Sequence, residues 1–213
     1  MLTSRWTKAG VFLLGLGPIG WLVWKGFQAE LTANPIEFLT HELGDWTLIF
    51  LVLTLSVTPA RKLLHAPELI RFRKMLGLFA FFYAVLHFSI FFVFDHFFDL
   101  AGMWEDIVER KYITIGMLGF VLLIPLAVTS TKGWIRRLGG KRWQRLHQAI
   151  YIIAIAGVIH FFWLVKSDIT RPMRYAIAVG ILLAYRILIW LAARQRRQQP
   201  MQTAGKLSPT NGA

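Results

Sequence analysis

The chain has 213 residues, of which 56% are hydrophobic and 15% aromatic, and its formal net charge is +13. This composition is too apolar for a soluble domain and predicts a polytopic membrane protein. The chain contains no cysteine, which excludes disulfides, iron–sulfur clusters and thiol redox chemistry. If such a protein moves electrons, a bound cofactor must carry them.

Six apolar stretches predict transmembrane helices. They run roughly over Ala9–Phe27, Trp46–Pro59, Met75–Phe94, Tyr112–Val128, Gln148–Val165 and Met173–Leu191. The second is shorter than the ~20 residues that a span needs. Asn34 and Pro35 predict an earlier start for it, because they suit the N-cap and the first helical position. No small-x-small cleavage site follows Lys25, so the first stretch is interpreted as a retained helix rather than a signal peptide.

The predicted fold is therefore an all-α, six-helix transmembrane bundle over residues 1–194. The remaining segment, 195–213, is polar and is predicted to be a disordered tail.

Lysines and arginines are concentrated on one side of this bundle. Of the 24 in the chain, 17 fall on the side that holds both termini and the loops after the second and fourth spans. The positive-inside rule therefore predicts that both termini are cytoplasmic. Because the charge follows membrane topology, it does not indicate a nucleic-acid partner.

The acidic residues are concentrated on the opposite side, which holds ten of the eleven. They are Glu30, Glu37, Glu42, Asp45, Asp95, Asp99, Glu105, Asp106, Glu109 and Asp168. This face is interpreted either as a solvated rim or as a surface that steers a soluble partner.

Two histidines lie deep in separate spans and at matching depth. His87 follows the basic anchor Lys74 by 13 residues, and His160 follows Arg145 by 15. At a helical rise of ~1.5 Å per residue these distances are ~20 Å and ~22 Å. Both imidazoles are thus expected about two-thirds of the way across a hydrocarbon core ~30 Å thick. An intramembrane histidine indicates a functional site, and two at one level suit the two axial ligands of one haem.

His147 is expected near the inner surface of the membrane. Its position relative to the other two histidines is less regular. Counting 14 residues back from His87 reaches Arg73, ~40° away in rotation and on the same helix face. A guanidinium is a poor metal ligand but a good partner for a haem propionate or a flavin phosphate. On a straight helix His147 and His160 would be ~140° out of register. Either a distortion at Gly157 brings them together, or the two histidines address cofactors in different directions.

The other histidines give weaker signals. Solvated or structural roles are expected for His41, His65 and His96. A single intramembrane histidine is also compatible with a core hydrogen bond or a proton path. The alternative function is accordingly a small transporter or proton channel that uses the histidines as relays. Arg186 is the only charged residue expected well inside a span, and it is expected to snorkel toward the inner surface.

Three segments resemble a known family. They are VTPARKLL at 57–64, LIRFRKMLGLFAFFYAVLHF at 69–88 and AVTSTKGWIRRLGGKRWQRLHQAIYIIAIAGVIHFFWLVK at 127–166. The chain resembles the MsrQ family, the haem-binding membrane subunits of bacterial periplasmic methionine sulfoxide reductase systems. More broadly, it is similar to the ferric-reductase-like transmembrane superfamily.

The resemblance implies specific cofactors and partners. It implies that His87, His147 and His160 are haem b ligands, with one or two haems, and that Arg73 completes the inner site. It also implies FMN, electrons from the quinone pool, and a location in the bacterial inner membrane. The implied partner is a periplasmic molybdenum-containing subunit, MsrP, which reduces methionine sulfoxide in proteins. The chain itself would then be an electron-transfer subunit without the substrate-reducing site.

Overall fold

The computed structural model describes residues 4–165 and 167–205, and the side chains as far as residue 196. All regular structure within these residues is helical. The helices are α1 (Arg5–Phe27), α2 (Pro35–Leu63), α3 (Ile70–Ile90), α4 (Leu100–Glu109), α5 (Lys111–Val128), α6 (Lys132–Leu138), α7 (Gly140–His147), α8 (Ala149–Leu164) and α9 (Thr170–Gly205).

Six helical segments are long and apolar enough to cross a membrane, which confirms the predicted all-α bundle and its six spans. They are Arg5–Phe27, Pro35–Leu63, Pro67–Asp95, Lys111–Val128, Gly140–Leu164 and Thr170–Arg196. We call the end with the loops 64–69 and 129–139 the basic end, and the end with the loops 28–34 and 96–110 the acidic end.

The second span is lengthened at its start, as predicted. Asn34 is the N-cap of α2, and its side chain accepts a hydrogen bond from the backbone N–H of Glu37 at 3.3 Å. Pro35 occupies the first helical position, where its missing N–H costs nothing. The resulting helix of 29 residues is long enough to span the bilayer and to project beyond it.

Two helix pairs hold the centre of the bundle. α2 packs along α3, to which it is joined by a short turn, and α5 packs along α8. Leu51, Leu55 and Tyr83 are fully buried where α2 meets α3. The Phe50 and Tyr83 rings stack there at 5.2 Å between centres. The candidate site lies between the two pairs.

Helix α4 was not predicted from the sequence. It follows a π-helical turn over Phe91–Asp95 that ends α3. Leu100, Trp104 and Val108 are exposed at successive four-residue intervals along α4, so they form one apolar stripe. Ten residues of mixed polarity do not give the signal of a span, and the segment was therefore interpreted as part of a loop.

The last helix continues beyond the predicted boundary of the membrane domain. A disordered tail was predicted from residue 195, but α9 continues through Gly205. Residues 194–199 are arginine and glutamine, which are good helix formers and can prolong a helix already nucleated in the membrane. The boundary predicted at residue 194 therefore falls inside α9. The rest of the predicted tail, residues 206–213, lies outside the described residues, as does Lys166.

Candidate functional site

The structure brings His87 and His160 together. His87 is on α3 and His160 is on α8, and their ring centres are 6.1 Å apart. The two ring planes are inclined by 86°. This closeness agrees with the matching depth predicted for the two histidines.

Each imidazole is held by a backbone carbonyl of a different helix. Nδ1 of His87 lies 2.8 Å from the carbonyl oxygen of Thr40 on α2. Nδ1 of His160 lies 2.6 Å from the carbonyl oxygen of Tyr112 on α5. A carbonyl can only accept, so Nδ1 carries the proton and donates in both cases. In the neutral imidazole, Nε2 then carries the lone pair that can bind a metal.

Both rings line one cavity of about 510 Å³, within the usual size range of ligand and cofactor pockets. Its walls are mainly apolar, and they include Leu48, Leu51, Phe88, Phe120, Leu123 and Ile153. Toward the acidic end the lining becomes polar, with His41, Asp45, Asp95, His96, Asp106 and Arg110. A flat, largely apolar cofactor with a polar edge suits this distribution.

The distance between the rings agrees with two ligands on one metal ion. An imidazole nitrogen lies about 2.0–2.1 Å from a bound first-row metal and about 1.1 Å from its own ring centre. Two imidazoles on opposite sides of one metal therefore have centres about 6.3 Å apart. The observed 6.1 Å between His87 and His160 is close to this value. The donor set and the cavity thus suit a haem held through two histidines.

The polar mouth of the cavity is held by contacts to the Asp106 carboxylate. Nε2 of His96 lies 3.3 Å from a carboxylate oxygen of Asp106, and Nε of Arg110 lies 3.0 Å from the other oxygen. Arg110 also donates to the Tyr112 hydroxyl at 3.4 Å. That hydrogen bond and the Asp106 carboxylate raise the pKa of the Arg110 guanidinium. His96 therefore has the structural role expected for it.

The remaining two weakly predicted histidines differ from each other. His65 is exposed on the turn between α2 and α3, as expected. His41 is half-buried on α2 and lines the mouth of the cavity.

His147 is held within its own helix instead of by a neighbouring one. Its Nδ1 donates to the carbonyl of Trp143 at 3.1 Å, and the two rings stack with centres 3.9 Å apart. The Trp143 indole is fixed in turn, because its Nε1 donates to the carbonyl of Thr129 at 2.9 Å. Nε2 of His147 is buried and makes no geometric hydrogen bond among the described residues, while the Leu126 backbone of α5 lies close to the ring. A buried nitrogen without a partner is costly, and a ligand at this position would satisfy it.

The helical segment Gly140–Leu164 has a local irregularity directly after His147, and not at the glycine suggested by the sequence. α7 ends at His147, and α8 begins at Ala149. The N–H of the intervening Gln148 is shared between the carbonyls of Gln144 and Arg145. Gln148 keeps right-handed helical backbone angles, so the irregularity is confined to this one turn.

Two arginines lie inside the basic half of the bundle. Arg73 is half-buried on α3, within electrostatic range of His147, Tyr151 and Arg186. Arg186 donates to the Tyr151 hydroxyl and to the Leu55 carbonyl, both at 2.9 Å. The expectation that Arg186 snorkels to the membrane surface is therefore wrong: its guanidinium is directed into the bundle. Hydrogen bonds to α2 and α8 hold two of its nitrogens there, whereas its buried Nε has no hydrogen-bond partner among the described residues.

Comparison with known proteins identifies the family. Residues 43–158 match the family described as "Ferric reductase like transmembrane component". The chain is 50% identical over 200 residues to the "Protein-methionine-sulfoxide reductase heme-binding subunit MsrQ" of Herminiimonas arsenicoxydans, with 93% of this chain and 90% of that protein covered. The chain belongs to the MsrQ family.

Further MsrQ proteins show similar coverage. Those of Caulobacter vibrioides and Rhodospirillum rubrum are 46% and 47% identical to the chain. The alignments cover 93% and 91% of this chain and 90% and 92% of the relatives. The resemblance predicted from the three sequence segments is confirmed. The residues matched to the ferric reductase family include His87 and His147 and end two positions before His160.

Proposed function

We propose that this chain is the haem-binding, electron-transferring membrane subunit of a protein-methionine-sulfoxide reductase system. The curated MsrQ relatives carry this description in their names. The substrate-reducing site belongs to the partner, a periplasmic molybdoenzyme of the MsrP type. Quinone in the bilayer is the proposed electron source.

The observation that carries the proposal is the paired geometry of His87 and His160. Their Nδ1 donors are engaged by the carbonyls of Thr40 and Tyr112, so both Nε2 lone pairs remain for iron. The apolar walls exclude water from the sides of the cavity. Haem b, when bound there, supplies reversible one-electron chemistry at nearly constant structure.

His147 is the proposed ligand of an inner haem. Its buried, unpartnered Nε2 and its stacked, fixed ring support this assignment. Arg73 is proposed to pair with an anionic group at the inner site, because a guanidinium binds carboxylates and phosphates well.

FMN is proposed at the basic end. Cationic side chains between the fourth and fifth spans would hold its phosphate. They are Lys132, Arg136, Arg137, Lys141, Arg142 and Arg145.

The proposed orientation follows the charge distribution. The basic end and both termini face the cytoplasm of a bacterium, and the acidic end faces the periplasm. The His87–His160 cavity opens toward the acidic end, which supports the exit of electrons to a periplasmic partner.

The test is a visible spectrum of the purified full chain, oxidised and dithionite-reduced, for wild type, His87→Ala and His160→Ala. We expect a low-spin haem spectrum in wild type and its loss or conversion to high spin in both variants. His65→Ala is the matched control, because His65 is exposed at the opposite end. A wild-type protein without a Soret band would favour the transporter alternative. An unchanged low-spin spectrum in both variants would remove the ligand assignment.

A further inference from the structure

Each of the two residues whose carbonyls hold the histidines is followed four positions later by a glycine. Gly44 lies four residues after Thr40 on α2, and Gly116 lies four residues after Tyr112 on α5. In each case the glycine follows the acceptor by one helical turn. Both helices are regular at these positions, with no break between acceptor and glycine.

Helix geometry explains why the residue one turn later matters. In an α-helix the carbonyl of residue i accepts from the N–H of residue i+4. The carbonyl oxygen keeps a second lone pair, which a side chain from another helix can use. Residues i and i+4 lie on the same face, so a side chain at i+4 would stand beside that lone pair.

The space beside Gly116 is filled by His160. A Cβ added at Gly116 would lie 2.6 Å from Nδ1 and 2.9 Å from Cε1 of that imidazole. Non-bonded heavy atoms are optimally separated by about 3.5–4.0 Å, so this position excludes every side chain while the ring stays in place. The three nearest atoms all belong to His160.

The space beside Gly44 is filled in the same way by His87, with a little more room. A Cβ added there would lie 3.3 Å from Cε1 and 3.4 Å from Nδ1 of the imidazole. Both atoms within 4 Å belong to His87. The close approach at each glycine is therefore to a histidine ring and not to the backbone of a packed helix.

Glycine is unfavourable inside a helix by about 0.5–1 kcal/mol relative to alanine, and at these two positions the absence of a side chain brings a compensating gain. The compensating gain is access of the imidazole Nδ1–H to a helix carbonyl. That hydrogen bond fixes the tautomer and the direction of the ring, as hydrogen-bond partners behind metal-bound histidines generally do.

We propose that Gly44 and Gly116 are positioning residues for His87 and His160: each opens a helix carbonyl to the imidazole Nδ1–H and so presents Nε2 to the haem iron. This proposal rests on the ligand roles proposed above. Both glycines also line the cavity, and the role proposed for them is exerted through the histidines.

The experiment compares Gly116→Ala, Gly44→Ala and a control in the full chain. Gly77→Ala is the matched control, because Gly77 lies inside α3 and an added Cβ would meet Thr54 at an ordinary 3.7 Å. Haem is titrated into each purified apo-protein, and ferric electron paramagnetic resonance (EPR) spectra and midpoint potentials are then recorded. We expect haem binding to be about 10–100-fold weaker for Gly116→Ala. This range is typical when a metal-bound histidine loses its hydrogen-bond partner.

The two glycine variants are expected to differ in degree. Gly44→Ala needs a shift of only a few tenths of an ångström, so it should keep more haem than Gly116→Ala. Both should change the EPR g-values and raise the midpoint potential, because an imidazole without its carbonyl partner is a weaker donor to ferric iron. Gly77→Ala should keep the wild-type affinity, g-values and potential. The proposal would be overturned if Gly44→Ala and Gly116→Ala both kept the haem affinity, the g-values and the midpoint potential of the wild type.

A measurement without haem separates this proposal from the ligand assignment. Nitrogen-15 chemical shifts of selectively labelled histidine in the apo-protein report which ring nitrogen carries the proton. We expect His160 to be protonated at Nδ1 in wild type and in Gly77→Ala, and to lose this single tautomer in Gly116→Ala. Retention of the hydrogen-bonded Nδ1–H in Gly116→Ala would overturn the positioning role even if both histidines bind haem. Loss of the tautomer in a chain that binds no haem would sustain the positioning role and overturn the proposed function.

Discussion

The imidazole planes of His87 and His160 are nearly perpendicular, inclined by 86° with ring centres 6.1 Å apart. Carbonyls on two other helices set this angle, so it is a property of the bundle. Perpendicular axial imidazoles leave two iron d orbitals close in energy. Ferric haem bound at this site should therefore give a highly anisotropic low-spin EPR signal at low temperature. The ordinary rhombic signal of parallel imidazoles in the wild-type protein would contradict this arrangement.

His147 should bind a separate haem from that of the outer pair. Its ring is held by Trp143 on its own helix, independently of the contacts that orient His87 and His160. We expect His147→Ala to lower the haem-to-protein ratio, measured by the pyridine haemochrome method. The EPR signal assigned to the outer pair should persist. An unchanged ratio would exclude His147 as a ligand, and loss of the outer signal would show that the sites are not independent.

The sequence carried enough information to place the outer histidine pair, because basic residues at the inner ends of two spans fix depth by simple counting. It carried less about rotation, since the direction in which a helical residue points depends on packing against other helices. Arg186 illustrates this: its position near a span end suggested snorkelling, whereas α2 and α8 provide acceptors inside the bundle.

Other features had almost no sequence signal. The local irregularity at Gln148 occurs at a residue with good helix propensity. The carbonyls of Thr40 and Tyr112 belong to the backbone, which every residue has, so the side chains at those positions gave no indication of their role. The glycines one turn later are the only residues whose type reflects this role. The spacing of these glycines can be interpreted only once the positions of the two histidines are known.

Tyr83 should stabilise the chain by repairing helix α1 near Pro18. A regular helix would pair the N–H of Ile19 with the carbonyl of Gly15, beside the position where proline removes one hydrogen bond. The buried Tyr83 hydroxyl lies between these two groups: it donates to the carbonyl of Gly15 at 2.7 Å and accepts from the N–H of Ile19 at 3.3 Å. Tyr83→Phe should therefore lower the free energy of unfolding by about 1–3 kcal/mol, the usual cost of leaving buried polar groups unsatisfied.

A double-mutant cycle with Pro18→Ala checks this explanation. Alanine restores the missing N–H and allows the direct bond between Ile19 and Gly15, so Tyr83→Phe should cost less in that background. Unfolding in mixed micelles, followed by circular dichroism, provides the measurement. Equal costs in both backgrounds would mean that the hydroxyl does not act through the proline.

The Arg186–Tyr151 contact should contribute to stability without controlling haem binding at the outer site. Arg186 donates to the Tyr151 hydroxyl at 2.9 Å, and its guanidinium lies 5.0 Å from the centre of the same ring. Tyr151→Phe removes only the hydroxyl and should destabilise the chain by about 1 kcal/mol, within the range measured for hydrogen bonds between membrane helices. Arg186→Met should cost more, since it also removes the bond to the Leu55 carbonyl.

The control for this pair is Tyr185→Phe, because the Tyr185 hydroxyl makes no hydrogen bond among the described residues. It should unfold like the wild type under the same denaturant titration. If Tyr151→Phe and Tyr185→Phe are equally stable, the contact with Arg186 contributes nothing measurable.

The acidic end should accelerate encounter with the periplasmic partner. Glu105 and Glu109 are exposed on α4, above the mouth of the cavity, and their charges can steer a soluble protein with a basic surface. The variant Glu105→Lys/Glu109→Lys should slow electron transfer to the partner about 10-fold at low salt, measured by stopped-flow reoxidation of the reduced subunit. The difference should diminish toward 0.15 M salt, where the Debye length is about 8 Å. Glu68→Lys makes a comparable charge change at the basic end and should leave the rate unchanged. A slower rate that persists at high salt would indicate a damaged contact, and an unchanged rate would leave the acidic residues as a solvated rim.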